Sequence, residues 1–94
     1  MDNEARIEGL RALLAEAAHA HHEATGGPNP NWAGWYAEYL HGKIEEYVGS
    51  SPDLATISDW MIAGEIRHEA EEPENKYWPT IYARYIVEDY STQD

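Results

Sequence analysis

Two stretches of the chain, 46 residues apart, carry the same pattern of side chains. Each contains the tripeptide His-Glu-Ala, at 22–24 and again at 68–70, followed after seven residues by a tryptophan. Four residues beyond each tryptophan comes Tyr-Ala and then, after one more residue, a second tyrosine and an aliphatic residue. Because the spacing is identical in both stretches, we interpret the chain as two copies of one helical hairpin.

The repeat predicts an all-α fold. One two-helix hairpin cannot bury its apolar face alone, whereas two copies can do so as a four-helix bundle with a pseudo-two-fold axis. The 94 residues are enough for a single domain with a small core, which we place over 1–94. Repeat one covers about 2–49 and repeat two about 52–90. The short connection between them is expected to set the second helix beside the third.

Hydrophobic periodicity and helix-stop signals define the expected elements. The prediction is four helices at 2 to about 24, about 31–48, 52–73 and about 77–90, with a turn at 25–30 and a frayed end at 91–94. Gly49 is expected to stop the second helix, and Pro73 the third, because proline cannot continue a helix. The third helix begins near Pro52 with Ser51 as its cap, or later, near Ser58, since the residues between are poor helix formers.

The first helix of each predicted hairpin has an apolar stripe that leads to a histidine. The stripe consists of Ile7, Leu10, Leu14 and Ala17 in the first helix, and of Leu54, Ile57, Met61 and Gly64 in the third. Continuing the same steps reaches His21 and His68, so the stripes align with an offset of 47 rather than 46. A one-residue adjustment before the hairpin loop would reconcile the two offsets. The periodicity of the first stripe places His21 within the buried stripe and His22 on its flank.

The large apolar side chains are unusual in kind, because the chain has no Phe but four Trp and seven Tyr. Both residue types bury a large apolar body, need a partner for one polar atom and are enriched at interfaces. The predicted binding surface is the aromatic face of the second and fourth helices: Trp32, Trp35, Tyr36, Tyr39, Trp78, Tyr82 and Tyr85. We expect this face to form a homodimer. Another protein or a small molecule is the alternative partner, and a plain aromatic core is the alternative without one.

The charge balance, 18 acidic against 6 basic residues with a net charge of -12, argues against several partners. Nucleic acids and anionic membranes are bound through dense Lys and Arg, so we predict binding to neither. The absence of Cys excludes disulfides and thiolate metal sites. The first residues lack the apolar run of a signal peptide, and no stretch approaches a membrane span in length. We therefore expect a cytoplasmic protein.

A divalent-metal site is the main alternative to a binding module. Its predicted ligands are His22, Glu65, His68 and Glu69, with His21 able to replace His22. Two histidines with one or two carboxylates suit zinc or another divalent ion, and they could meet near the pseudo-two-fold axis. The competing interpretation is structural. A histidine near a helix C-terminus interacts favourably with the helix dipole and can hydrogen-bond a neighbouring Tyr or Trp.

Patterns typical of enzymes have little support. Glu-x-x-His, which supplies ligands in di-iron bundles, occurs at 16–19, 38–41 and 65–68, but periodicity places only the last at a core edge. The serines lie in turns, caps or the tail without a nucleophile signature, and Gly26-Gly27 lacks the lysine of a phosphate loop. The sequence therefore favours a binding module over an enzyme, with no catalytic residue and, outside the metal alternative, no cofactor.

The aromatic segments also carry a family resemblance. The segments 32–40, WAGWYAEYL, and 78–86, WPTIYARYI, resemble the W-x-x-(W/F)-Y-A-x-Y-(L/I) signature of small acidic bacterial helical proteins of uncharacterised function. The resemblance covers about half of the chain. It implies an all-helical cytoplasmic domain and carries no functional residue over to this sequence.

Overall fold

The computed structural model describes residues 2–26 and 30–91, and in that part of the chain it contains helices and no strand. The helices are α1 (Asn3–Thr25), α2 (Trp32–Leu40), α3 (Glu45–Val48), α4 (Leu54–Glu71) and α5 (Trp78–Tyr90). For these described residues the prediction of an all-helical fold is confirmed, with five helices in place of the four expected. None of the described helices combines the length and apolar character needed to cross a membrane.

The two long helices α1 and α4 begin in the same way, with an aspartate as N-cap. The Asp2 carboxylate accepts a hydrogen bond from the Ala5 N–H, and the Asp53 carboxylate accepts one from the Thr56 N–H, both at 2.8 Å. This satisfies an amide that has no partner within the helix, and it lowers the pKa of the Asp53 carboxyl. The predicted cap at Ser51 is therefore wrong, and so is a start near Ser58.

The predicted second helix is interrupted, which corrects the single helix expected over 31–48. The chain leaves the helix at His41, turns through Gly42 with a φ of +81°, and becomes helical again as α3. The turn points Ile44 and Val48 into the core, where both are fully buried. A straight continuation would need Gly42 as a helix-interior residue, which costs about 1 kcal/mol relative to alanine.

The other helix ends follow the stop signals in the sequence. Gly26 ends α1 in the left-handed conformation, and its N–H bonds the His22 carbonyl. Helix α4 ends at Glu71, two residues before Pro73, and α5 begins with Pro79 in its first turn. Residues 27–29 of the predicted turn and 92–94 of the predicted frayed end lie outside the described residues.

The helices of each predicted hairpin pack mainly on the helices of the other. Helix α1 has its most extensive contact with α5, and α2 has its most extensive contact with α4. The contacts between α1 and α2 and between α4 and α5 are smaller, and α3 packs against α1 and α5. The second and third predicted helices are thus neighbours, as the short connection between them indicated. The core lies where these contacts meet and includes Leu10, Leu14, Leu40, Ile57, Met61, Ile81 and Val87, all fully buried.

The turn between α2 and α3 can be tested with a matched pair of glycines. Gly42→Ala is expected to lower the free energy of unfolding by about 1–2 kcal/mol, because its φ lies in the left-handed region. Gly34→Ala, inside α2, is expected to raise it by up to about 1 kcal/mol, since the added Cβ approaches no atom closer than 3.4 Å. Urea denaturation measures both. Equal changes in the free energy of unfolding for the two substitutions would contradict the left-handed turn at Gly42.

Candidate functional site

A continuous row of aromatic rings connects four helices through the interior. It runs from His21 in α1 to Tyr36 in α2, Trp78 in α5, Tyr82 in α5 and His68 in α4. The successive ring centroids are 5.0, 5.6, 4.9 and 6.1 Å apart. Contacts of this kind stabilise the fold beyond the contribution of the apolar area that the rings bury. The row links the four helices. Three of its five rings, those of His21, Tyr36 and Tyr82, are buried, so most of the row belongs to the core.

Each half of the chain contributes one histidine–tyrosine ring pair to this row. His21 stacks on Tyr36, and His68 meets Tyr82 at its edge. The tyrosines are 46 residues apart in the sequence and the histidines 47, which are the two offsets of the predicted repeat. His21 is also buried, as its place in the apolar stripe predicted, whereas the adjacent His22 is exposed. The histidine that contacts a tyrosine ring in the first half of the chain is therefore His21, and not His22.

The seven residues of the predicted binding surface divide into two groups. The buried group is Tyr36, Tyr82 and Tyr85, which are 7%, 6% and 4% exposed. The half-buried group is Trp32, Trp35, Tyr39 and Trp78, which pack against the core from its edge. The buried tyrosines form part of the core of the single chain. Only the half-buried group offers ring surface to a partner in this conformation.

Two rings of the half-buried group are held in fixed positions. The rings of Trp35 and Tyr39 stack with centroids 5.6 Å apart, and the Tyr39 hydroxyl donates a hydrogen bond to the Glu16 carboxylate. That bond is the main reason why the pKa of the Tyr39 phenol is raised. The Lys43 ammonium lies 4.8 Å from the centroid of the Tyr39 ring and donates to the Tyr39 carbonyl. Little of Tyr39 is therefore left free for a ligand.

The predicted metal ligands do not form a closed set. His22 and Glu69 are exposed, whereas Glu65 and His68 are half-buried at the end of α4. Within residues 2–26 and 30–91, no three His, Asp or Glu side chains lie close enough together to hold a metal ion. The His68 Nε2 instead lies 2.6 Å from the Asn75 carbonyl oxygen, to which it can donate a hydrogen bond. This contact links the end of α4 to the loop before α5 and agrees with the structural interpretation of His68.

His68→Ala is expected to lower the free energy of unfolding by about 1 kcal/mol. The substitution removes the hydrogen bond to Asn75 and the edge contact with Tyr82, while water can reach the half-exposed site. Thermal melts of wild type and variant with and without a chelator measure the effect. A chelator should shift neither melting temperature. A wild-type melt that falls on chelation, with no further fall in the variant, would instead support the zinc alternative.

An exposed apolar face on α4 was not predicted from the sequence. Leu54, Ile62 and Ile66 are 44%, 43% and 63% exposed, although the opposite side of the same helix is buried. With Ser58 they form a row of residues spaced by four, which is one ridge on a helix surface. We call this row the outer face of α4. Its signal in the sequence is the spacing of Leu54, Ile62 and Ile66, which forms a second apolar stripe beside the predicted one. Leu54, predicted to lie in the buried stripe, is in fact exposed.

A groove adjoins the outer face at the start of α4. Its volume is about 310 Å³, and it is lined by Asn31, Gly34, Ala37 and Glu38 of the α2 region and by Leu54 and Ala55 of α4. Gly34, Ala37 and Ala55 have small side chains, so a ligand could approach the two helices closely. Since Leu54 belongs both to this α2–α4 groove and to the outer face of α4, the two form one connected surface.

Carboxylates surround this connected surface. Glu38 lines the groove, and Asp59 and Glu69 are exposed on α4 beside the isoleucines. None of these three makes an ion pair with another residue in the described part of the chain. Arg67, the one arginine of α4, is paired with Glu71 at 3.0 Å and with Asp89 at 2.7 Å. The surface is therefore apolar along its centre and negatively charged at its edges.

Comparison of the chain with protein-family models, with curated proteins and with solved structures gives no match. The function has to be inferred from the geometry and charge of this surface alone.

Proposed function

We propose that this chain is a protein-interaction module, and that its main contact surface is the outer face of α4 with the α2–α4 groove. The observation that supports the proposal is the row of Leu54, Ile62 and Ile66, each more than two fifths exposed. Large exposed apolar surfaces on a soluble domain often mark interaction sites.

The form of the surface favours a helical partner. A ridge of residues spaced by four fits the groove between the ridges of another helix, which is the commonest helix packing in globular proteins. An amphipathic helix also binds an apolar groove through residues on one of its faces. The α2–α4 groove at the end of the ridge can take a bulky side chain of such a helix, because Gly34, Ala37 and Ala55 leave room there.

Self-association through the aromatic face is the second candidate. It is favoured by the half-buried rings of Trp32, Trp35 and Trp78, since Trp is enriched at interfaces. The buried tyrosines would not contribute, so a homodimer at this face would use fewer residues than the sequence suggests. Sedimentation of wild type and Trp35→Ala over a range of concentrations separates the two candidates, because only the second predicts a dimer that the substitution weakens.

The main proposal is tested with an uncharged amphipathic peptide carrying leucines on one face and glutamines on the other. Titrated into ¹⁵N-labelled protein, the peptide is expected to shift the amide resonances of the outer face of α4 and of the groove. Ile62→Ser combined with Ile66→Ser should remove those shifts, whereas Leu13→Ser, in the half-buried margin of α1, should retain them. Shifts confined to other helices, or shifts unaffected by the double substitution, would contradict the proposal.

A further inference from the structure

We infer that the occupant of the outer face of α4 is a basic amphipathic helix of another protein, and this inference rests on the proposed function. The occupant must meet an apolar ridge and carboxylates at the edges of the same surface. A helix with aliphatic residues along one face and Lys or Arg on both flanks of that face has the complementary pattern. Complementary charge at an interface mainly raises the association rate and excludes wrong partners.

The carboxylates at this surface are available to a partner. Glu38, Asp59 and Glu69 have no ion pair within residues 2–26 and 30–91, so their charges are not neutralised by the chain itself. Three arginines are paired with other carboxylates: Arg11 with Glu8, Arg67 with Glu71 and Asp89, and Arg84 with Glu72. Within the described residues, no salt bridge neutralises the carboxylates at the α4 surface.

A second copy of this chain fits the same surface poorly. Pairing two α4 outer faces would bring Asp59 and Glu69 of each copy into one interface with the same carboxylates of the other. Each copy also carries a net charge of -12. Like charges placed together at an interface cost free energy and suppress association. The apolar ridge alone would allow self-pairing, and the charges are what favour a basic partner.

The groove adds a requirement on the partner's sequence. Leu54 connects the groove to the ridge, so a helix lying along Ile62 and Ile66 has one end at the groove. A bulky apolar side chain at that end would enter the space between α2 and α4, and a Lys or Arg beside it would reach Glu38 at the groove. The predicted recognition pattern is an apolar anchor at one end, further aliphatic residues at steps of three or four, and basic flanks.

Two peptides that differ only in their flanks test this inference. Both carry the same apolar face, and one has Lys and Arg on the flanks where the other has Glu. Both peptides are titrated into ¹⁵N-labelled protein. At low salt, the basic peptide is expected to bind at least about tenfold more tightly than the acidic one. Its affinity should fall as salt is raised, because salt screens exposed charges. The amide shifts should lie on α4 and around the groove.

Charge variants of the protein provide the matched control. Asp59→Asn combined with Glu69→Gln should weaken binding of the basic peptide several-fold. The ratio of its affinity to that of the acidic peptide should fall accordingly. Glu88→Gln, an exposed carboxylate on α5, removes a similar charge elsewhere and should leave the affinity ratio unchanged. The melting temperatures of all variants should stay close to that of wild type, since these carboxylates make no ion pair in the described chain.

The outcomes separate this inference from the proposed function. Equal affinity of the two peptides for the outer face of α4, or tighter binding of the acidic one, overturns the inference and leaves the interaction module in place. If none of the three peptides shifts the amide resonances of α4, both the inference and the proposed function are overturned. Concentration-dependent shifts at α4 without peptide would identify a second copy as the occupant and also overturn the inference.

Discussion

Replacing Tyr82 with alanine is expected to lower the free energy of unfolding by about 3–5 kcal/mol, as is typical for removing a buried aromatic side chain. Tyr82 is only 6% exposed, and it contacts Trp78 and His68 on two different helices. A Cβ built on Gly64 would lie 3.2 Å from its ring, so α4 packs directly on it. Folded domains are stable by about 5–15 kcal/mol, so the variant should be close to unfolding.

Tyr82→Phe is the control, and it should change the stability by less than about 1 kcal/mol. The substitution keeps the ring and removes only a hydroxyl that has no hydrogen bond with another described residue. Burial raises the pKa of this phenol, with Glu65 and Glu69 adding to the effect, so it is neutral at any pH used for the measurement. Chemical denaturation gives both values. A phenylalanine variant as unstable as the alanine variant would mean that the hydroxyl, and not ring packing, holds this site.

Replacing Ile57 with alanine should cost about 2–5 kcal/mol, and the same change at Ile66 should cost almost nothing. Both isoleucines are on α4, so the chemical change and the helical setting are matched. Ile57 is fully buried, whereas Ile66 is 63% exposed. Alanine is the better helix former, so Ile66→Ala could even add a few tenths of a kcal/mol. Urea unfolding of the two variants measures the difference.

The comparison of Ile57 with Ile66 is also a test of the proposed contact surface. If Ile66→Ala destabilised the isolated protein by several kcal/mol, Ile66 would be covered, either by the chain or by a second copy. Measuring the variant at two protein concentrations distinguishes these cases, because the stability of a dimer depends on concentration. A neutral effect that is independent of concentration is the result expected for a free docking face.

Much of the secondary structure could be predicted from local signals. Gly26, Gly49 and Pro73 mark helix ends that the structure reproduces to within two residues. The break after α2 could not be predicted in this way. Gly42 alone is tolerated in a helix at a modest cost, and the break depends on burying Ile44 and Val48 against distant helices. That gain comes from tertiary packing, which periodicity along one segment does not reveal.

The candidate site was harder to predict than the fold. The aromatic residues were identified as one face, but a sequence does not tell which part of an apolar face the chain itself covers. Tyr36 proved to be internal because its ring meets Trp78 of the other predicted hairpin. Tyr82 proved to be internal because its ring packs against Trp78 of its own helix and His68 of α4. The outer face of α4 was overlooked for the opposite reason. Ile62 and Ile66 form a second, narrower stripe that none of the described helices covers.

The packing of each half of the chain on the other half affects how the chain can fold. Because α1 packs mainly on α5, and α2 on α4, neither half holds a complete core of its own. A fragment ending at the 49–53 connection should therefore stay largely unstructured, while the two fragments mixed together can assemble. In the intact chain, the first and last helices must find each other across most of the sequence. Such distant contacts slow folding relative to bundles in which neighbouring helices pair.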